Sequence, residues 1–464
     1  MKRRVAGLET EFGLVCVRAD GTRALEPEQA ARELFRPVVA MGRSSNVFLP
    51  NAARLYLDVG SHPEYATAEC DDWWDLVAQD RAGETELAEL VTTVNERFAA
   101  DGDDARIHLF KNNVDSEGNA YGSHENFLVD RRGEFTRLPR FLVPFLVTRQ
   151  IVTGAGGVVT EEDGTARYVF SRRSDHMWEA VSSATTRTRP IINTRDEPHG
   201  DPNRYRRLHV IVGDSTMSEI STWLRFATTD LVLRAIESGR ALPDLALADD
   251  ITAIRAVARD LTGREPLPLT GGGVASALEI QQRWLDIAAT YADDDENDVL
   301  ETWQRALDAV RTGDRSWART HLDWAIKEHL FEQVIDRRGV ALGSAQIQRL
   351  DLAYHDIDPA SGLFARLARS GRALAVLPAD RIERARTHAP TTTRAHLRGR
   401  FITAAMEHGV DHVVDWTTLR LNRPGAMPVQ LMDPLANSSE KVDALIESLV
   451  ETPAALLPID PPII

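Results

Sequence analysis

Near the N-terminus, apolar and polar positions alternate with the two-residue period of strands. From Val5 to Val15, Leu8, Thr10 and Phe12 fall on one side and Glu9 and Glu11 on the other, with Gly7 and Gly13 giving clearance. Residues 54–70, Arg-Leu-Tyr-Leu-Asp-Val-Gly-Ser-His-Pro-Glu-Tyr-Ala-Thr-Ala-Glu-Cys, read as a strand, a turn and a second strand. Arg54, Tyr56 and Asp58 share one face of the first strand while Leu55, Leu57 and Val59 share the other. Gly60, Ser61 and Pro63 are turn residues, and Glu64 arrives beyond the turn, where it can face the same cavity.

Other segments follow the helical period. Pro27 suits a first turn and opens a helix through Met41. Asp71 and Asp72 can cap a long helix to about Phe98, with Leu87, Leu90, Val91, Val94 and Phe98 at helical spacing and Gly83 as its weak point. A buried helix is expected over Phe141 to Val152 and an amphipathic one from Met217 to about Glu237, with shorter strands at Ile107 to Phe110, Phe127 to Val129, Tyr168 to Ser171 and Leu208 to Val212. Beyond Leu245 the chain reads as mainly helical through about residue 387. Pro390-Thr-Thr-Thr-Arg394 then interrupts the periodicity, so we divide the chain into residues 1–389 and a small domain, 390–464, that opens with a helix at Ala395 to Met406. The tail, with Pro453, Pro458, Pro461 and Pro462, is too proline-rich for regular structure.

Composition narrows the class. Of the 464 residues 43% are apolar, yet no run is long enough to span a bilayer, and a soluble, cytoplasmic protein is expected. Cys16 and Cys70 are the only cysteines, which argues against a disulfide framework. With 54 Lys+Arg against 70 Asp+Glu the net charge of −16 repels nucleic acid and anionic membrane, so neither is expected as a partner. An arginine-rich stretch from Arg187 to Arg207 is nevertheless a candidate local phosphate site, because planar guanidinium groups suit phosphate oxygens. Its competing role is an internal ion-pair network with Asp196 and Glu197.

Glu9, Glu11, Glu64, Tyr56 and His124 make a hard-oxygen set with some imidazole, suited to Mg²⁺ holding nucleotide phosphates, unless they form a merely solvated strand face. Asp58 is either a base for an incoming group or a turn-capping carboxylate. His209 opens an apolar strand, where a histidine is more often a satisfied core residue than a ligand, and only its place near the arginines favours a site. Thr67 is off-parity from Glu64, so the two reach one cavity only from different sides or through a bulge. Phosphate loops of the G-x-x-x-x-G-K-[ST] type and the H-E-x-x-H and G-x-S-x-G motifs are absent. If ATP binds, it binds on a sheet with metals and arginines.

Gly7-Leu-Glu-Thr-Glu-Phe-Gly13, the whole of residues 54–70, Phe110-Lys-Asn-Asn113, Val181-Ser-Ser-Ala-Thr-Thr-Arg187 and Arg206-Arg-Leu-His-Val-Ile-Val-Gly-Asp214 resemble the Pup-protein ligases, and the likeness reaches Asp415-Trp416. The resemblance implies an α+β fold of the glutamine synthetase-like, carboxylate-amine ligase type, with a curved antiparallel sheet cradling ATP and Mg²⁺ and a small C-terminal domain contributing to the nucleotide site. It implies Glu9, Tyr56 and Glu64 as metal ligands, Arg54, Thr67 and Trp416 as ATP contacts, and Asp58 as the catalytic base. Analogy with the superfamily adds Glu11 and His124 to the metal set and Arg195 and His209 to the nucleotide contacts.

The implied partners are the small protein tag Pup and lysine-bearing target proteins, which the reaction would mark for proteasomal degradation. Related Pup deamidases share the fold but hydrolyse the amide, and they resemble this chain less. They carry a long insertion where residues 44–53 connect directly to the Arg54 strand, and Asp-His-Ala-His-Pro-Glu where this chain has Asp58-Val-Gly-Ser-His-Pro-Glu64. A non-catalytic adaptor would be expected to have lost part of the set Glu9, Tyr56, Asp58 and Glu64, all of which are present.

Overall fold

The computed structural model describes residues 1–450 except 43, 59, 116, 132–136 and 185–188. The expectations for Val59, for the 185–188 part of the arginine-rich stretch and for the proline-rich tail therefore fall outside the described residues.

Eight strands form the central sheet, in the spatial order Glu179–Ser182, Pro190–Asn193, Tyr205–Val210, Ser123–Asp130, Ala6–Glu11, Pro63–Ala66, Arg54–Leu57 and Asn46–Phe48. All neighbours pair antiparallel except the first two strands, which run parallel. The α+β expectation holds, with that parallel edge as the departure from a purely antiparallel cradle. Strict alternation explains the central strand: Ala6, Leu8 and Thr10 are buried while Gly7, Glu9 and Glu11 are half-buried. Leu8 joins the larger apolar cluster, to which the helices Trp73–Ala100, Arg137–Thr148 and Glu219–Glu237 also contribute. The polar parity faces the other way.

Several elements differ from their sequence patterns. The strand expected at Phe127 begins at Ser123, so the polar Ser123-His124-Glu125-Asn126 run is paired backbone rather than loop. Its alternation is masked because Glu125, fully buried, is ion-paired with Arg149 at 2.6 Å rather than solvated. Residues 46–48, expected as part of a direct connection, form the edge strand. Tyr168 lies in a separate two-stranded hairpin with Gly157–Thr160. The helix Glu219–Glu237 is buried nearly all round, its Arg225 donating to Ser123 Oγ at 3.1 Å, so its amphipathic pattern understates its burial.

The long helix follows its sequence signals closely. Asp72 accepts from the Asp75 N–H at 2.8 Å as its N-cap. Gly83 sits where the Tyr65 ring lies against the helix; a Cβ there would come within 2.3 Å of Tyr65 Cδ1. What reads as a weak point is a close approach between helix and sheet.

Residues beyond 394 contain a cluster of their own, in which Leu397, Phe401, Leu419, Leu421 and Val442 pack together around the helix Ala395–Glu407 and a three-stranded sheet. The cysteines are free, buried and placed in different clusters, Cys70 in the larger core and Cys16 in the second one with Phe12 and Leu55. Among the described residues, no helix is long and apolar enough to cross a membrane.

Candidate functional site

Register builds the site. Glu9 stands opposite His124, Glu11 opposite Glu64, Glu64 opposite Tyr56, and His209 opposite Asn126. Directly paired residues share a sheet face, so five strands deliver these side chains to one surface. Two groups of donor atoms result, Glu9 with His124 and His209, and Glu11 with Asp58 and Glu64, each within 4.8 Å of one another. Gly122 is needed beside them, because a Cβ there would lie 2.7 Å from Glu11 Oε1 and 2.8 Å from the His124 ring.

In the first group the protonation states suit cation binding. Burial alone would raise Glu9, but the hydrogen bond to His124 and the charge of Arg207 oppose it, and the carboxylate is held well below its usual range. His209 is pushed down to about 3, chiefly by burial, and is therefore neutral. Among the described residues, neither of its buried ring nitrogens has a hydrogen-bond partner. A buried imidazole with orphaned nitrogens beside an ionised carboxylate is a donor set that fits a cation. In the second group, burial and then the charges of Glu9 and Glu11 raise Glu64 well above the carboxylate range, and the Tyr56 hydroxyl donates to its Oε1. Tyr56 itself stays a neutral phenol, pushed up by burial and by Glu9 and Glu64. Hard oxygens with imidazole match Mg²⁺ better than a thiolate-preferring metal.

A pocket open to solvent adjoins the first group. Glu9, Thr67, Arg207, His199, Arg394 and Trp416 line it. The Thr67 hydroxyl accepts from Leu8 N–H at 3.0 Å and its own N–H donates to Leu8 O at 2.9 Å, which fixes the residue against the central strand. Thr67 lies beyond the last paired residue of its strand, so it reaches the pocket with Glu9 while Glu64 belongs to the neighbouring group.

The structure brings together Glu9, Glu11, Tyr56, Asp58, Glu64, His124 and His209, and it places Thr67 and Trp416 on the pocket wall. Arg54 is on the adjacent strand, its guanidinium 4.4 Å over the Tyr56 ring and its Nε bonded to Asn46 at 2.8 Å. Asp58 is exposed at the strand end, and its backbone closes the turn, with N–H to His62 O and C=O to the Ser61 N–H, both at 2.9 Å. Arg195 is 63% exposed and paired with Glu197 at 2.8 Å, outside the residues lining the pocket.

Arg207, unremarked individually in the sequence, takes the inward position instead: 15% exposed, 3.9 Å from Glu9 and bonded to Asn126 at 3.2 Å. Its parity with His209 on one strand was the available signal. Asn126, which donates to Glu9 at 3.0 Å, and the buried pair Glu69 and Arg394 left no such signal.

The family model described as Pup-ligase protein matches residues 4–420. A Pup–protein ligase of Brachybacterium faecium is 76% identical over all of this chain and 99% of that protein, and one of Rhodococcus erythropolis is 52% identical over 97% and 100%. A crystal structure of Pup with its ligase PafA superposes with a TM-score of 0.92 at 43% identity, covering 97% of this chain and 92% of that one. The ligase PafA in complex with ADP gives 0.84 at 44% identity, over 93% and 95%. This chain belongs to the Pup-ligase family.

Proposed function

We propose that this protein uses ATP to activate the side-chain carboxylate of the C-terminal glutamate of Pup and joins it to lysines of other proteins by an isopeptide bond. The observation that carries this reading is the convergence of two carboxylate and imidazole groups beside an open pocket, in a chain whose relatives are ligases seen with Pup and with ADP. A carboxylate is a poor electrophile, so phosphoryl transfer from ATP to give an acyl phosphate makes the carbonyl attackable. The lysine amine, mostly protonated near neutrality with a pKa of about 10.4, must then lose a proton to attack that carbonyl, and inorganic phosphate leaves as the isopeptide bond forms.

Each residue has a proposed part. Glu9, His124 and His209 would hold one Mg²⁺, and Glu11, Glu64 and Tyr56 a second; the bound cations supply charge compensation for the triphosphate. Arg207 and Arg54 bring guanidinium groups for phosphate oxygens. Thr67 and Trp416 border the nucleoside part of the pocket. Asp58, exposed at the edge of the second group, orients and deprotonates the incoming lysine. We read residues 390–464 as a small C-terminal unit that lends Trp416 to the nucleotide site. The test is a reaction of purified protein, ATP, Mg²⁺, glutamate-ended Pup and a lysine-bearing protein, which should give a covalent conjugate and ADP. Faster cleavage of a preformed conjugate than synthesis of one would overturn the ligase reading in favour of a deamidase.

A further inference from the structure

Trp416 comes from the far end of the chain, yet it lines a pocket whose floor is the first strand. Its ring is held from behind by two residues. Phe48 on the edge strand meets it edge-on at 4.9 Å between centroids, and the Arg398 guanidinium lies 5.0 Å over the indole and 5.2 Å over Phe48. Arg398 also donates to the Trp416 carbonyl at 3.0 Å. The same guanidinium, completely buried, grips both oxygens of Glu69. Arg394 binds Glu69 as well, at 2.8 Å.

Glu69 is itself rigidly placed relative to the first group of donors. It follows Thr67, bonded to Leu8, and precedes Cys70, whose N–H and C=O pair with Ala6 at 2.9 and 2.8 Å. A continuous line of contacts therefore runs from the central strand through Glu69 and Arg398 to Trp416. A buried ion cluster of this kind adds little net stability over an apolar one, so its use lies in fixing geometry.

We propose that Arg398, anchored by Glu69, and Phe48 are positioning residues that set the Trp416 ring at the nucleotide pocket, so that nucleotide affinity depends on contacts made behind the pocket wall. This rests on the reading of that pocket as the nucleotide site. Arg398→Lys keeps a charge for Glu69 but loses the planar fork that reaches Trp416 at the same time. Phe48→Leu removes the edge contact and touches no buried charge.

Calorimetric titration with ADP should show each variant binding roughly three- to tenfold more weakly, as expected for losing one such contact. The KM for ATP should rise in parallel while kcat at saturating ATP stays within about twofold. In a Trp416→Leu background, neither substitution should weaken ADP binding further, because what they position is gone. Full additivity in that cycle, or unchanged ADP affinity in both single variants, would falsify the proposal. Phe48→Leu decides alone if Arg398→Lys fails to fold. Absence of ADP binding by the unsubstituted protein would instead overturn the reading of the pocket itself.

Discussion

Glu11 and Glu64 stand directly opposite each other on neighbouring antiparallel strands, with carboxylate oxygens within 4.8 Å. Like charges in that position oppose pairing of the strands, and burial together with the charges of Glu9 and Glu11 raises the Glu64 carboxyl. A group raised in the folded state stabilises it at low pH and ceases to as pH climbs through the raised value. Without divalent cation, stability should therefore fall as pH rises past the ordinary carboxylate range and through the raised value, and Mg²⁺ should restore it with release of a proton. Glu64→Gln should flatten the pH dependence and lose much of the Mg²⁺-induced rise in melting temperature. Thermal melts with and without Mg²⁺ across pH 6–9 would show it; identical Mg²⁺ responses in the two proteins would exclude Glu64 from the cation site.

Asp58→Asn should abolish conjugate formation while ADP binding stays within a few-fold of the parent. Asp58 is exposed, so the substitution leaves the packed core untouched. Because its carboxylate also lies within reach of Glu11 and Glu64, a variant that loses nucleotide or Mg²⁺ binding together with conjugation would place Asp58 among the cation ligands instead.

The two arginines Arg195 and Arg207 should separate cleanly. Arg195→Ala removes an exposed pair with Glu197 and should change ATP KM and stability little, within about 0.5 kcal/mol. Arg207→Ala removes a half-enclosed cation facing Glu9 and should raise the ATP KM by about tenfold or more. Equal effects in a steady-state ATP titration would contradict the inward placement of Arg207.

Gly83→Ala puts a methyl group into the Tyr65 ring, whose hydroxyl is fixed by Asn51 at 2.9 Å. Overpacking should cost about 1–3 kcal/mol in urea unfolding, although alanine is the better helix former. A stabilised variant would mean that the ring has room to move.

Acid should reach the Glu69 cluster late. Burial would raise this carboxyl, but Arg398 and Arg394 outweigh it and bring it from 4.5 to about 2. A depressed carboxylate contributes stability above its unfolded value and loses it as pH falls towards the folded one, so roughly 3 kcal/mol should disappear between pH 4.5 and 2. Glu69→Gln should remove that part of the acid transition, as followed by circular dichroism.

Much of this site was readable in the chain because strands have a fixed period. Glu9 and Glu11, or Arg54 and Tyr56, had to share a face once their segments were strands, and Asp72 and Pro27 marked helix starts through local chemistry. What stayed hidden depended on which strands become neighbours. Nothing local says that His209 lies near Glu9, or that the polar run from Ser123 is a strand with Arg149 waiting behind Glu125. Arg195 and Arg207 have the same composition around them, and only the turn of the chain at residues 194–204 sends one outward and the other inward.

The buried cysteines turn the two apolar clusters into separately addressable clocks. Burial raises both thiols above their ordinary range, so neither should react with a maleimide in the closed protein. Labelling of Cys70 then times the opening of the large core behind the central sheet, and labelling of Cys16 that of the smaller core beneath Leu55. With no other thiol in the sequence, mass spectrometry can follow the two rates in one sample and show whether nucleotide closes both cores together.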